Sequence, residues 1–178
     1  MTFEEQLNSI LQELSPSSAK LLPTDECAKN ISSYGKHLVL EAWKTYENPI
    51  VFTENTFNDT FGFYMSYYFH REMQDSGWDE KEKQQDKLML QSLKDLLLKK
   101  NADYGSSFAK VAQQLGAIPT FSVRILDKCN RLDQLLDDQR KNEHRQVEDE
   151  SILDTMLDLL GYYILCIITM KYYVSPSK

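Results

Sequence analysis

The stretch Glu150-Ser-Ile-Leu-Asp154-Thr-Met-Leu-Asp158-Leu-Leu-Gly-Tyr162-Tyr-Ile-Leu-Cys166-Ile-Ile-Thr-Met170-Lys-Tyr-Tyr173 decides the fold class. Wound as a helix at about 100° per residue, it gathers Glu150, Asp154 and Asp158 into one stripe about 80° wide. Ile152, Leu153, Met156, Leu157, Leu159 and Leu160 occupy nearly every other side. A helix apolar around most of its girth is a buried helix. Its carboxylates must then meet a cation, a metal or a ligand, because an unpaired charge in the interior is expensive. Two readings stay open. One is an internal salt-bridge network with Arg124, Lys128 and Arg131 as partners. The other is a Mg²⁺ site of carboxylates and waters, since a hard divalent cation takes oxygen ligands.

Working outward, the other segments have the same helical character. Phe3, Leu7, Ile10, Leu11 and Leu14 share one side of a first helix over Thr2–Leu14, broken by Ser15-Pro-Ser-Ser. A second helix runs from Thr24 to Tyr46 and ends before Asn48-Pro49. Residues 50–75 read two ways, as a short strand at Ile50-Val-Phe-Thr or as an aromatic helix over Thr56–Met73. Lys81–Asn101 is rich in strong helix formers. A short helix over Phe108–Leu115 is closed by Gly116, and Pro119 opens a helix from Phe121 to Asp138. Arg140–Asp149 is a charged connection before the last helix, which is expected over Glu150–Tyr173. The expectation is an all-α, compact bundle of about five to seven helices.

Composition narrows the function classes. The 178 residues carry 20 basic and 27 acidic side chains, a net of −7, which argues against general DNA or RNA binding through phosphate neutralisation. Residues 1–80 hold 5 Lys+Arg and 13 Asp+Glu (5 − 13 = −8), whereas residues 81–178 hold 15 and 14 (15 − 14 = +1). The chain thus divides at residue 80 into an acidic, aromatic-rich helical region and a near-neutral region whose charges form stripes. Three Cys without paired spacing argue against a disulfide framework and a zinc knuckle. Met1-Thr-Phe-Glu-Glu-Gln lacks a signal-peptide pattern, and Leu159–Met170 is too short to span a bilayer, so a cytoplasmic protein without membrane contact is expected. The aromatic content of residues 56–73 points to a homodimer or higher homo-oligomer.

Chemistry concentrates in three blocks. Lys100-x-x-Asp103-Tyr104-Gly105-x-Ser107-Phe108 is a helix end running into a glycine turn, where Ser106, Ser107 and backbone N–H groups suit a phosphate. Arg124, Asp127, Lys128 and Arg131 fall on one face of their helix, at the edge of its apolar side. Read as ion pairs alone, Asp127 and Arg131 make an i, i+4 contact. The acidic stripe of Glu150, Asp154 and Asp158 is the third block. No Walker loop, dinucleotide fingerprint or Gly-x-Ser-x-Gly elbow occurs. His37, His70 and His144 lack metal-ligand spacing, and Cys129 and Cys166 read as small hydrophobes.

In order and content, the three blocks resemble the nucleotide modification associated domain, a helical family common in bacteriophage genomes, over roughly residues 82–170. They are also distantly similar to the MazG-type and dimeric dUTPase all-α nucleotide pyrophosphohydrolases. The resemblance implies a phage protein, working in the cytoplasm of an infected bacterium, whose ligand is a nucleotide or nucleotide-derived small molecule. In its enzymatic form Glu150, Asp154 and Asp158 hold Mg²⁺, and Asp127, Glu150 and Asp154 serve attack of water on a phosphoryl group. Lys100, Asp103, Tyr104, Ser107, Arg124, Lys128 and Arg131 then bind the ligand, with Tyr104 stacking on the base. The pattern departs from the hydrolases in lacking a Glu-Glu-x-x-Glu helix and in reading Glu-x-x-x-Asp at its final motif. Those departures keep a second class open: sequestration, without turnover, of a nucleotide-derived host immune signal.

Overall fold

The computed structural model of the chain describes residues 1–14, 24–45, 49–72, 79–104, 106–141 and 151–173. Among the described residues there are seven helices and no strand: α1 (Phe3–Glu13), α2 (Thr24–Thr45), α3 (Pro49–Glu72), α4 (Asp79–Tyr104), α5 (Ser107–Leu115), α6 (Ala117–Lys141) and α7 (Ile152–Tyr172). The all-α class holds.

The termini of these helices have identifiable causes. At α1, Thr2 Oγ1 accepts from Glu5 N–H at 3.2 Å while Thr2 N–H donates to Glu5 at 2.6 Å, a reciprocal cap of two otherwise orphaned donors. Ser151 and Asp154 repeat this arrangement at the start of α7. Between α5 and α6 the chain turns on Gly116 alone, at φ 95°, a conformation that disfavours any side chain. The Thr120 hydroxyl donates to the Gly116 carbonyl at 2.9 Å and secures the corner.

The long helices close a four-helix ring in the order α2, α3, α7, α6. Four contacts fix the directions. Trp43 and Ser32 of α2 meet Ser122 and Cys129 of α6 respectively, and Phe121 and Lys128 of α6 meet Tyr163 and Asp158 of α7 respectively, so both pairs are antiparallel. Helix α1 packs on α7 and α4, and α5 packs on α6 and α7. One apolar cluster from Leu7 to Ile168 fills the interior, drawing on Leu38, Phe57, Phe61, Ile125, Leu132, Ile164 and their neighbours. Helices α2 and α3, from the acidic region, thus supply half of the ring, and α6 and α7, from the near-neutral region, the other half.

Several expectations are corrected. Residues 50–53 continue α3 rather than forming a strand, because Pro49 occupies the first helical position, where its missing N–H costs nothing. Helix α6 starts at Ala117, directly after the glycine corner, and runs on to Lys141. Helix α7 begins at Ile152, with Ser151 extended as its cap (φ −92°, ψ 163°), so among the described residues the acidic stripe starts at Asp154. At 21 residues with mean hydropathy 1.7, α7 is also long and apolar enough to cross a membrane, although 67% of that window is buried inside the bundle. Phe57, Phe61 and Tyr64 of α3 lie in the core, with the Phe57 and Phe61 rings stacked, and Phe63 lies against Tyr34. Tyr67 and Phe69 lie outside the described side chains.

Candidate functional site

Asp158 sits one turn into the apolar part of α7, where α4 and α6 both approach. Its Oδ1 accepts from Lys100 Nζ of α4 at 2.9 Å, and its Oδ2 lies 3.0 Å from Lys128 Nζ of α6. The Asp158 and Lys128 side chains are 26% and 17% exposed and Lys100 is 47% exposed, so the cluster lies at the bundle surface with one open side. Burial alone would push the Asp158 carboxyl up. The hydrogen bonds from Lys100 and Lys128, with the charges behind them, overcome that and hold it below its ordinary value. Two ammonium groups from different helices therefore meet on one carboxylate.

Arg124 and Arg131 stand one turn before and one turn after Lys128, within about 60° of it around α6. Arg124 is exposed and Arg131 half-buried; Asp127 is exposed on the flank of the same face. Asp154, one turn before Asp158, is exposed and committed to its own helix. Its Oδ2 accepts from Ser151 N–H at 3.2 Å and from Ser151 Oγ at 2.6 Å. Glu150 lies outside the described residues.

The turn after α4 is built differently from the sequence expectation. Gly105 and the Tyr104 side chain lie outside the described residues, and Asp103 and Ser107 are exposed. Ser106 takes the left-handed conformation, at φ 56°, which a non-glycine residue adopts at a cost of about 1 kcal/mol. Its hydroxyl donates to Asn101 Oδ1 at 3.0 Å and forms no cap to the α5 backbone. Ser106 thus braces the end of α4 rather than presenting its hydroxyl to a ligand. Asn101, which nothing in the spacing of the sequence singled out, is the residue it braces.

The described carboxylates do not fit a magnesium ion in this arrangement. Both Asp158 oxygens face ammonium groups and one Asp154 oxygen is held by the helix cap, whereas Mg²⁺ asks for open oxygens in an octahedron. Among the described residues no group of three or more His, Cys, Asp or Glu stands in a metal-holding arrangement. Cys27, Cys129 and Cys166 are buried free thiols, and burial above all pushes Cys27 up to about 11 and Cys129 up to about 12. They pack as hydrophobes.

Residues 100–170 match the family model of nucleotide modification associated domain 1. The matched segment opens on Lys100 and contains the whole α4–α6–α7 junction at Lys128 and Asp158. No curated protein and no solved structure matches the chain.

Proposed function

We propose that the chain binds a phosphorylated nucleoside at the α4–α6–α7 junction and holds it without turnover. One observation carries this reading: Lys100 and Lys128, from two different helices, converge on the single carboxylate of Asp158 at the bundle surface. Asp158 acts as the positioning residue, fixing two long side chains that would otherwise sample many rotamers. An arriving phosphate then meets ammonium donors already gathered, and charge-assisted bonds of this kind are the strong ones. Arg124 and Arg131 extend the same face of α6 towards further phosphate oxygens. The match to a nucleotide-associated family over residues 100–170 supports a nucleotide over other phosphorylated ligands.

Retention rather than hydrolysis is supported by the commitments of the acids. Asp158 and Asp154 are each engaged by protein partners. Retention is also what a trap for a nucleotide-derived immune signal requires. The test is calorimetric titration of the full chain with nucleoside mono-, di- and triphosphates, with and without Mg²⁺. Each mixture is then denatured and the nucleotide chromatographed. Binding followed by intact release is expected. Release of pyrophosphate or of a shortened nucleotide would replace retention with a Mg²⁺-dependent pyrophosphohydrolase. Lys128→Ala is expected to weaken binding at least tenfold, since a hydrogen bond to a charged group is worth about 1.5–3 kcal/mol.

A further inference from the structure

On the side of α6 turned away from the lysine cluster, α2 and α6 present a shared outer surface. Three large apolar side chains are exposed there: Leu40 by 59%, Trp43 by 46% and Val123 by 66%. Trp43 Nε1–H donates to Ser122 Oγ of α6 at 2.6 Å. The indole is thus held in one orientation with its polar group satisfied, and its exposed part is apolar ring. The antiparallel register brings Leu126, half-buried, to the level of Leu40. We propose that this surface pairs with the same surface of a second copy of the chain, about a two-fold axis parallel to α2 and α6.

Charge and register single out a second copy as the partner. Lys29, Lys36, Leu40 and Trp43 fall within about 60° of one another on the shoulder of α2 that faces α6. Val123, Leu126, Asp133 and Asp137 fall within about 80° on the shoulder of α6 that faces α2. Beyond the apolar end the first shoulder is cationic and the second anionic, so one chain carries both halves of its own complement, as an isologous contact requires. The two helices run antiparallel, with Trp43 beside Ser122 and Lys36 paired with Asp133. A two-fold axis along the helices lays α2 of one copy on α6 of the other and keeps every residue at its own height. Leu40 and Trp43 then meet Val123 and Leu126 of the second copy, and Lys29 meets Asp137, which also accepts from Arg140 of its own helix at 2.6 Å. An axis across the helices would instead lay the apolar end of α2 on the charged end of its copy.

The surface is large enough for the purpose. Helix α2 has 22 residues, about 33 Å of length, and two helices side by side are about 20 Å across. Pairing therefore buries about 1,200 Å² over both copies, the lower end of specific interfaces. Tryptophan is enriched among the residues that dominate binding energy, and one already fixed by Ser122 loses little freedom on association. Lys128 stands about 140° around α6 from Val123, so both lysine clusters stay open in the pair. The pairing does not depend on what those clusters bind.

Sedimentation equilibrium of the full chain tests the proposal. At about 100 µM, well above a micromolar dissociation constant, the expected mass is twice 20.8 kDa. Leu40→Glu and Val123→Arg, both at exposed positions, should sediment as monomers with the helicity of the parent chain. Leu88→Glu, at an exposed apolar residue of α4, should leave the dimer intact. Lys29→Glu and Asp137→Lys should each weaken association at least about tenfold, since each sets two like-charged pairs across the axis. Mixed one to one, those two variants should associate like the parent, because their heterodimer holds one native and one reversed pair, both of opposite charge. A monomer at about 100 µM overturns the proposal, as does a dimer that survives both Leu40→Glu and Val123→Arg. A mixture that fails to associate overturns it too, because this axis is the one that sets Lys29 against Asp137.

Discussion

At the scale of single residues, Asp158 and Gly35 show two kinds of constraint. The lowered Asp158 carboxyl marks a group that stabilises the fold when charged. Such a group contributes fully above its unfolded value, about 3.9, and the contribution is lost as pH falls through the still lower folded value. Asp158→Asn is therefore expected to lower stability by about 1 kcal/mol at pH 7, the scale of a partly screened ion pair, and to converge with the parent chain as pH drops below about 4. Urea midpoints across pH 2–7 measure this, and a constant gap down to the lowest pH would contradict it. At Gly35 a Cβ would overlap the Cys129 sulfur and come within 3.1 Å of Tyr163 Oη and 3.2 Å of Ile125 Cγ2. Gly35→Ala should cost about 1–3 kcal/mol as overpacking. Less should be lost when Cys129→Ala has already removed the sulfur, a coupling that a double-mutant cycle reads directly. The two residues also differ in legibility. Asp158 is visible in sequence because a carboxylate on an apolar helix demands a partner, and Lys128 was among the candidate cations. Gly35 is not, because its neighbours come from α6 and α7, and local sequence carries no sign of a helix crossing. The same holds for Asn101, whose significance arises only from its contact with Ser106.

At the scale of elements, helix identity was readable and boundaries were readable where a cap or breaker stood. Thr2 and the Gly116 corner mark their helices in the sequence as well as in the structure. Helix α3 was ambiguous because its aromatic residues fill more than one face, which blurs the 3.6-residue period while suiting a strand equally. The start of α7 misled for a different reason. The four-residue recurrence of Glu150, Asp154 and Asp158 looks like one helical stripe, yet Ser151 with an acid three residues on is a capping box, and the cap fixes where the stripe begins. That distinction gives Asp154 a structural task of its own, as half of the helix cap. Ser151→Ala removes the hydroxyl that accepts from Asp154 N–H at 3.0 Å and is expected to cost about 1 kcal/mol. For a chain of this size that is a fall of about 2–4 °C in Tm. Phosphate affinity should be unchanged, because Asp158 and both lysines lie beyond the first turn. A large loss of affinity in a folded Ser151→Ala chain would return Asp154 to the binding machinery.

At the scale of the whole molecule, the two charge regions of the sequence become one bundle. The acidic half supplies α2 and α3, which lay their apolar faces on α6 and α7, and the near-neutral half keeps its cations at the junction facing outward. Pairing of distant segments of this kind is set by complementary apolar surfaces, so it could not be read from either half alone. The same packing buries every thiol of the chain, and this has a measurable consequence. Cys27 is pushed up to about 11, Cys129 up to about 12 and Cys166 well above its ordinary value, in each case chiefly by burial. An acid whose folded value is raised stays neutral in the native state, while the unfolded chain ionises above about 8.5. The fold keeps its full stability below that pH and loses it as pH rises towards the folded values, at about 1.4 kcal/mol per thiol per pH unit. Three thiols acting together remove about 4 kcal/mol per unit, against a total of about 5–15 kcal/mol for an ordinary domain. The urea midpoint is therefore expected to hold to about pH 8.5, fall steeply by pH 10, and reach cooperative alkaline unfolding near pH 10–11. Cys166→Ala should start from a lower midpoint at pH 7 because of the space it leaves, but its decline above pH 8.5 should be shallower by about a third, one titrating group of three having gone. A midpoint that stays flat from pH 8 to 10 would mean that the thiols ionise as readily in the folded chain as outside it. The tight contacts of Cys129 with α2 and Tyr163 could not then persist in solution.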